Sequence, residues 1–141
     1  MKLKVSRTDT WATTIDDHPG GLADKLAALA AAGANLEFII ARRAPEQRGS
    51  GVAFVTPLKG AKQTKAAEAA GFQKTGSLHS VRVESADKPG MGAKLTSALA
   101  KAGINLRGLS AAALGKSQVT YLALDTAQDA AKAAAVLKKL S

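Results

Sequence analysis

The chain of 141 residues is 46% hydrophobic, 22% charged and 4% aromatic, a globular composition with room for one domain or two small ones. It contains no cysteine, which excludes a thiol nucleophile, a thiolate zinc site and an iron–sulfur cluster. The net charge is +9, divided as +3 over residues 1–70 and +6 over residues 71–141, so an anionic partner has to be considered and the excess is not confined to a tail.

At the N-terminus, Lys2, Lys4 and Arg7 are followed by polar residues, not by the roughly 7–15 apolar residues of a signal peptide. The expectation is an unprocessed, cytoplasmic protein. No apolar run approaches the roughly 20 residues needed to cross a bilayer, which argues against an integral membrane protein. Trp11 to Ile15 reads as a short strand, and Asp17-His18-Pro19-Gly20 as the turn that ends it. Leu22, Leu26 and Leu29 then mark an amphipathic helix from Gly20 to Ala32, closed by Gly33 in a left-handed cap. Strands follow at Leu36–Ile40 and Val52–Val55 across the turn Gln47–Gly51, then a helix at about Ala61–Ala70 ended by Gly71. Phe72–Leu78 supplies a last strand.

Seventy positions on, the pattern returns. Asp87-Lys88-Pro89-Gly90 falls on Asp17-His18-Pro19-Gly20, Leu99 on Leu29, and Ala102-Gly103-Ile104-Asn105-Leu106 on Ala32-Gly33-Ala34-Asn35-Leu36. Ser80–Glu84 alternates as a strand, Met91, Leu95 and Leu99 stripe a helix over Gly90–Ala102, and strands are expected at Leu106–Ala112 and Val119–Leu124. A helix over Ala127–Leu140 starts at a capping signal, Thr126 three residues before Asp129. Two modules, residues 1–78 and 79–141, therefore share the order β-α-β-β-α-β. The fourth strand of the second is either absent or supplied by Leu3 to Ser6. The fold class is α+β: two ferredoxin-like modules, antiparallel sheets with helices on one face, forming one continuous sheet of about eight strands if the two copies pair edge to edge.

Asp-x-Pro-Gly opening a leucine-rich helix, closed by Ala-Gly-(Ile/Ala)-Asn-Leu, resembles the ACT domain, and its tandem occurrence resembles stand-alone proteins made of two such copies. The likeness runs from about Trp11 to Leu140. It implies a regulatory protein that binds a small molecule, an amino acid above all, between two modules, as a homodimer. Carried over by position, it nominates Asp17, His18, Gly20, Gly21 and Asn35 with Asp87, Lys88, Gly90, Met91 and Asn105. Some serine-binding relatives have asparagine where this chain has Asp17 and Asp87, and histidine where it has Ile15 and Ser85, so serine is not implied.

The residues themselves leave alternatives open. Asp17 and Asp87 suit helix N-caps with Pro19 and Pro89 in the first turn, or contacts to a ligand ammonium. His18 and His79 have no ligand-spaced partner, so neither a metal nor a cofactor is expected. Gly90-Met91-Gly92 lacks the rest of a dinucleotide fingerprint. Trp11 reads as packing before pocket lining. Nucleic acid is the unfavoured rival partner, because Arg42, Arg43 and Arg48 form the densest basic patch but no aromatic cluster accompanies it. An assembly module without a ligand is a further alternative. No nucleophile–base–orienter set can be assembled, so the expectation is a binding protein, not an enzyme.

Overall fold

The computed structural model describes residues 2–140, apart from the side chains of residues 75–78. Met1 and Ser141, the outer ends of the two modules drawn on the sequence, lie outside the described residues. The elements are β1 (Lys4–Asp16), α1 (Gly21–Ala31), β2 (Phe38–Arg43), β3 (Ser50–Thr56), α2 (Gly60–Ala69), β4 (Gln73–Ala86), α3 (Met91–Lys101), β5 (Gly108–Leu114), β6 (Ser117–Leu124) and α4 (Ala127–Lys138). They form two compact units, one of residues 9–75 and one of residues 1–8 with 76–141, which we call the first and second module.

The strand order is β2-β3-β1-β4 in the first module and β1-β4-β6-β5 in the second. This is the ferredoxin-like arrangement twice, with the module's second strand at its edge. Six strands fill the eight positions, fewer than the eight separate strands expected. The reason is length. At 13 and 14 residues, β1 and β4 are more than twice the typical strand, and each contributes residues to both modules. The N-terminal residues thus provide the fourth strand that the second module otherwise lacks, and Leu3 is buried in that module's core with Val5 packed against it.

Each core lies between one sheet face and two helices. In the second module Val81, Val83, Leu122 and Leu124 meet Leu95, Leu99, Ala133 and Leu137, all buried. In the first, Trp11 and Val55 meet Leu29, Ala67 and Phe72. Trp11 is a packing residue. The core of the first module contains fewer large aliphatic side chains.

Local signals explain the helix ends. Gly33, Gly71 and Gly103 all have positive φ, and the hydrogen bonds around them form Schellman caps: for α3, Gly103 N–H donates to the Ala100 carbonyl and Ile104 N–H to that of Leu99, both at 3.0 Å. Thr126 caps α4, its Oγ1 accepting from Asp129 N–H at 3.0 Å.

Candidate functional site

Both Asp-x-Pro-Gly segments are turns before the helix, not its first turn. Gly21 N–H donates to the His18 carbonyl at 3.1 Å and Met91 N–H to that of Lys88 at 3.4 Å. Gly20 has φ 91° and ψ −12°, Gly90 φ 82° and ψ 6°. Proline at the first central position and a left-handed residue at the second is the signature of a type II turn, which requires glycine there. This geometry corrects the capping expectation. Gly20 and Gly90 occupy the N-cap positions with no side-chain cap bond, and Asp17 and Asp87 lie three residues further out.

Asp17 instead pairs across the module. Arg43 Nε, at the end of β2, donates to Asp17 Oδ2 at 2.9 Å. Strand register brings them together: Ile15 is opposite Gly51, and Gly51 is opposite Arg43. Between Ile15 and Arg43 there is consequently no side chain. A Cβ added at Gly51 would approach the Arg42 carbonyl to 2.7 Å and Ile15 Cγ1 to 3.0 Å. Gly21 is equally constrained, because an added Cβ would collide with the Asp16 carbonyl oxygen.

These residues surround a pocket of about 220 Å³. Asp16, Asp17 and His18 form one wall and Ala41, Arg42 and Arg43 the other, with Ile15, Leu22 and Gly51 between them. Its polar lining carries two carboxylates and two guanidinium groups. Arg42 Nη1 donates to the Arg43 carbonyl at 3.1 Å, and His18 Nδ1 lies 2.9 Å from the Pro19 carbonyl oxygen with Nε2 3.8 Å from Asp16 Oδ2. The chemistry on offer is paired recognition of a cation and an anion on one small molecule.

Of the residues nominated from sequence, Asp17 and His18 line this pocket, while Gly20 and Gly21 shape the turn beside it. Asn35 is exposed in the loop before β2, which starts at Phe38, two residues later than expected. In the second module Asp87 and Lys88 are exposed, and Asp87 has no side-chain partner among the described residues. Gly90 forms its turn. Asn105 is exposed, its Oδ1 accepting from Leu106 N–H at 2.9 Å. Met91, at the position of Gly21, is only 3% exposed and packs in the core. Arg42 and Arg43 correspond to Ala112 and Ala113, and Leu22 to Gly92. Sequence reasoning marked Arg42 and Arg43 as a basic patch but not as partners of Asp17; the signal was their place in register across Gly51.

Residues 79–141 match the family model of the ACT domain. No curated relative matches the sequence. Among solved structures, the fold is similar to that of a Bacteroides thetaiotaomicron protein, with 17% identity and a TM-score of 0.79 over 96% of this chain and 90% of that one. It is also similar to the regulatory subunits of aspartate kinase from Thermus thermophilus (ligand-free form; 20% identity, TM-score 0.67, covering 97% and 95%) and from Thermus flavus (18%, 0.61, 98% and 94%). No helix among the described residues is long and apolar enough to cross a membrane. Residues 79–141 are thus similar to the ACT domain, and the first module repeats the same order of elements.

Proposed function

We propose that the chain is a small-molecule-binding regulatory protein of the cytoplasm, not an enzyme, and that its ligand is an amino acid held in the pocket of the first module. The observation that carries this reading is the Asp17–Arg43 pair across that pocket. A free amino acid presents an ammonium and a carboxylate on adjacent atoms, and it can enter between such a pair by giving Asp17 the first and the guanidinium of Arg43 or Arg42 the second. Opening the pair costs little: both side chains are substantially exposed, and exposed ion pairs are worth about 0–1 kcal/mol. The volume lies below the roughly 300–1,000 Å³ of pockets for drug-sized ligands, which suits a molecule of amino-acid size. The aliphatic faces of Ile15 and Leu22 receive the ligand side chain. The ACT family match of the second module and the likeness to aspartate kinase regulatory subunits support a regulatory role.

The site is completed in a homodimer. Antiparallel pairing of β2 with β2 of a second copy sets the start of one strand beside the end of the other, so Asn35 of the copy faces the Asp17 turn. Its amide offers both a donor and an acceptor to the same ligand. The second-module residues Asp87, Lys88, Gly90, Met91 and Asn105 do not build an equal site in this reading, because Ala112 and Ala113 stand where the first module has Arg42 and Arg43, and Met91 is committed to the core.

Thermal unfolding in the presence of each of the twenty amino acids tests the proposal. A ligand at about 100 times its Kd stabilises by about 2.7 kcal/mol, so one or a few amino acids should raise Tm visibly. Twenty unchanged curves contradict it and favour the assembly role, for which exposed Ile39 and Ile40 on β2 speak.

A further inference from the structure

Charge is divided between the two modules more unevenly than between the two halves of the chain. The first module has eight Lys/Arg against seven Asp/Glu, a balance of +1. The second has twelve against four, a balance of +8, to which the N-terminal segment contributes Lys2, Lys4 and Arg7. Nearly all of the excess therefore belongs to one folded unit.

That unit also has an unprotected edge. β5 ends the strand order and, among the described residues, pairs with β6 alone, so its outer backbone groups are open to an added strand. Its sequence, Gly108-Leu109-Ser110-Ala111-Ala112-Ala113-Leu114, contains no charge, and Leu109 and Leu114 are 43% and 72% exposed. Edge strands normally carry a charge or proline as protection; β2, the edge of the first module, ends in Arg42-Arg43. The cations near β5 sit just outside it, Lys116 after and Arg107 before, the latter in an exposed ion pair with Asp125 at 3.8 Å that a partner's acid can replace.

We propose that β5 is the docking edge for an extended segment of another protein, an apolar strand of about seven residues flanked by aspartate or glutamate. Main-chain hydrogen bonds to the open edge hold such a segment, Leu109 on one face of the sheet and Leu114 on the other cover its apolar side chains, and the flanking acids meet Arg107 and Lys116. A second β5 strand fits poorly. Antiparallel pairing of two β5 strands about Ala111 sets Gly108 opposite Leu114 and places each Arg107 beside the other copy's Lys116, between units that each carry +8. Opposite charge favours encounter with an acidic partner and rejects a like-charged one. The inference stands apart from the ligand reading of the first module.

The test uses the full chain and a labelled synthetic peptide of alternating valine and threonine ended by two glutamates on each side, followed by fluorescence anisotropy. It should bind at least about tenfold more tightly than the same peptide ended by lysines, and weaken between about 50 and about 150 mM salt. Leu114→Lys and, separately, Ala112→Lys should each lower its affinity about tenfold or more with the far-UV spectrum unchanged, whereas Ala31→Lys at the exposed end of α1 leaves it as in the parent. Equal binding of the two peptides, no binding of either, or indifference to both β5 variants overturns the proposal. So does displacement of the acidic peptide by a single-stranded oligonucleotide of equal charge, or a sedimentation mass showing β5-dependent self-association that Leu114→Lys abolishes.

Discussion

Near the end of its second strand the first module carries Arg42-Arg43 and the second carries Ala112-Ala113, while the glycines of their Asp-x-Pro-Gly turns share left-handed backbone, φ 91° and ψ −12° at Gly20 against φ 82° and ψ 6° at Gly90. After the turn, the first has Gly21, which the Asp16 carbonyl forces to lack a side chain, and the second has Met91, which fills the core. The shared motif therefore specifies a turn, and the surroundings decide whether that turn borders a charged pocket. One module keeps cations and anions balanced around the pocket; the other has a larger aliphatic core and a strongly positive surface. Duplication has preserved the scaffold and let the chemistry diverge.

Substitutions can break this contrast, beginning where the effect is largest. Leu99→Ala in the second core should destabilise by about 2–5 kcal/mol in a denaturant titration, as should Met91→Ala, because both side chains are almost fully buried. If Met91→Ala were neutral, the assignment of Met91 to packing would be wrong. Gly21→Ala in the first module should cost about 1–3 kcal/mol or more, since the added methyl meets backbone and not a flexible side chain. A milder loss, on the order of 1 kcal/mol, is expected for both Gly20→Ala and Gly90→Ala, each forcing a side chain into left-handed backbone; a marked difference between them would show that the turns are less alike than their dihedrals. Smallest of all should be the stability change in Asp17→Asn, under about 1 kcal/mol, because its ion pair is exposed.

The sequence made the duplication, the helix stripes, the Schellman glycines and the Thr126 cap legible, because each rests on contacts within a few residues. What it hid depends on distant pairing. Lys4 to Asp9 has little apolar character, and its place in β1 comes from the strand that lies next to it; hence the N-terminus could be offered only as one of two sources for the missing fourth strand. The capping role assigned to Asp17 and Asp87 failed because Pro-Gly closes a type II turn before the helix begins, moving the N-cap to glycine. Both second strands begin two residues late, since Leu36 and Leu106 pack against the cores from the preceding loops. Arg43 was visible as a charge, but its partner became visible only with the register across Gly51. The concentration of charge in the second module was masked for the same reason, the N-terminal cations belonging in space to the far end of the chain.

Isothermal titration of the amino acid that raises Tm, into the parent protein, Arg43→Ala and Asp87→Asn, addresses the asymmetry of the two modules most directly. A hydrogen bond to a charged group is worth about 1.5–3 kcal/mol, so Arg43→Ala should weaken binding by roughly 10- to 150-fold. One site per chain, damaged by Arg43→Ala and indifferent to Asp87→Asn, is the predicted result. Two equal sites per chain, or binding that survives Arg43→Ala and is lost in Asp87→Asn, would contradict the account.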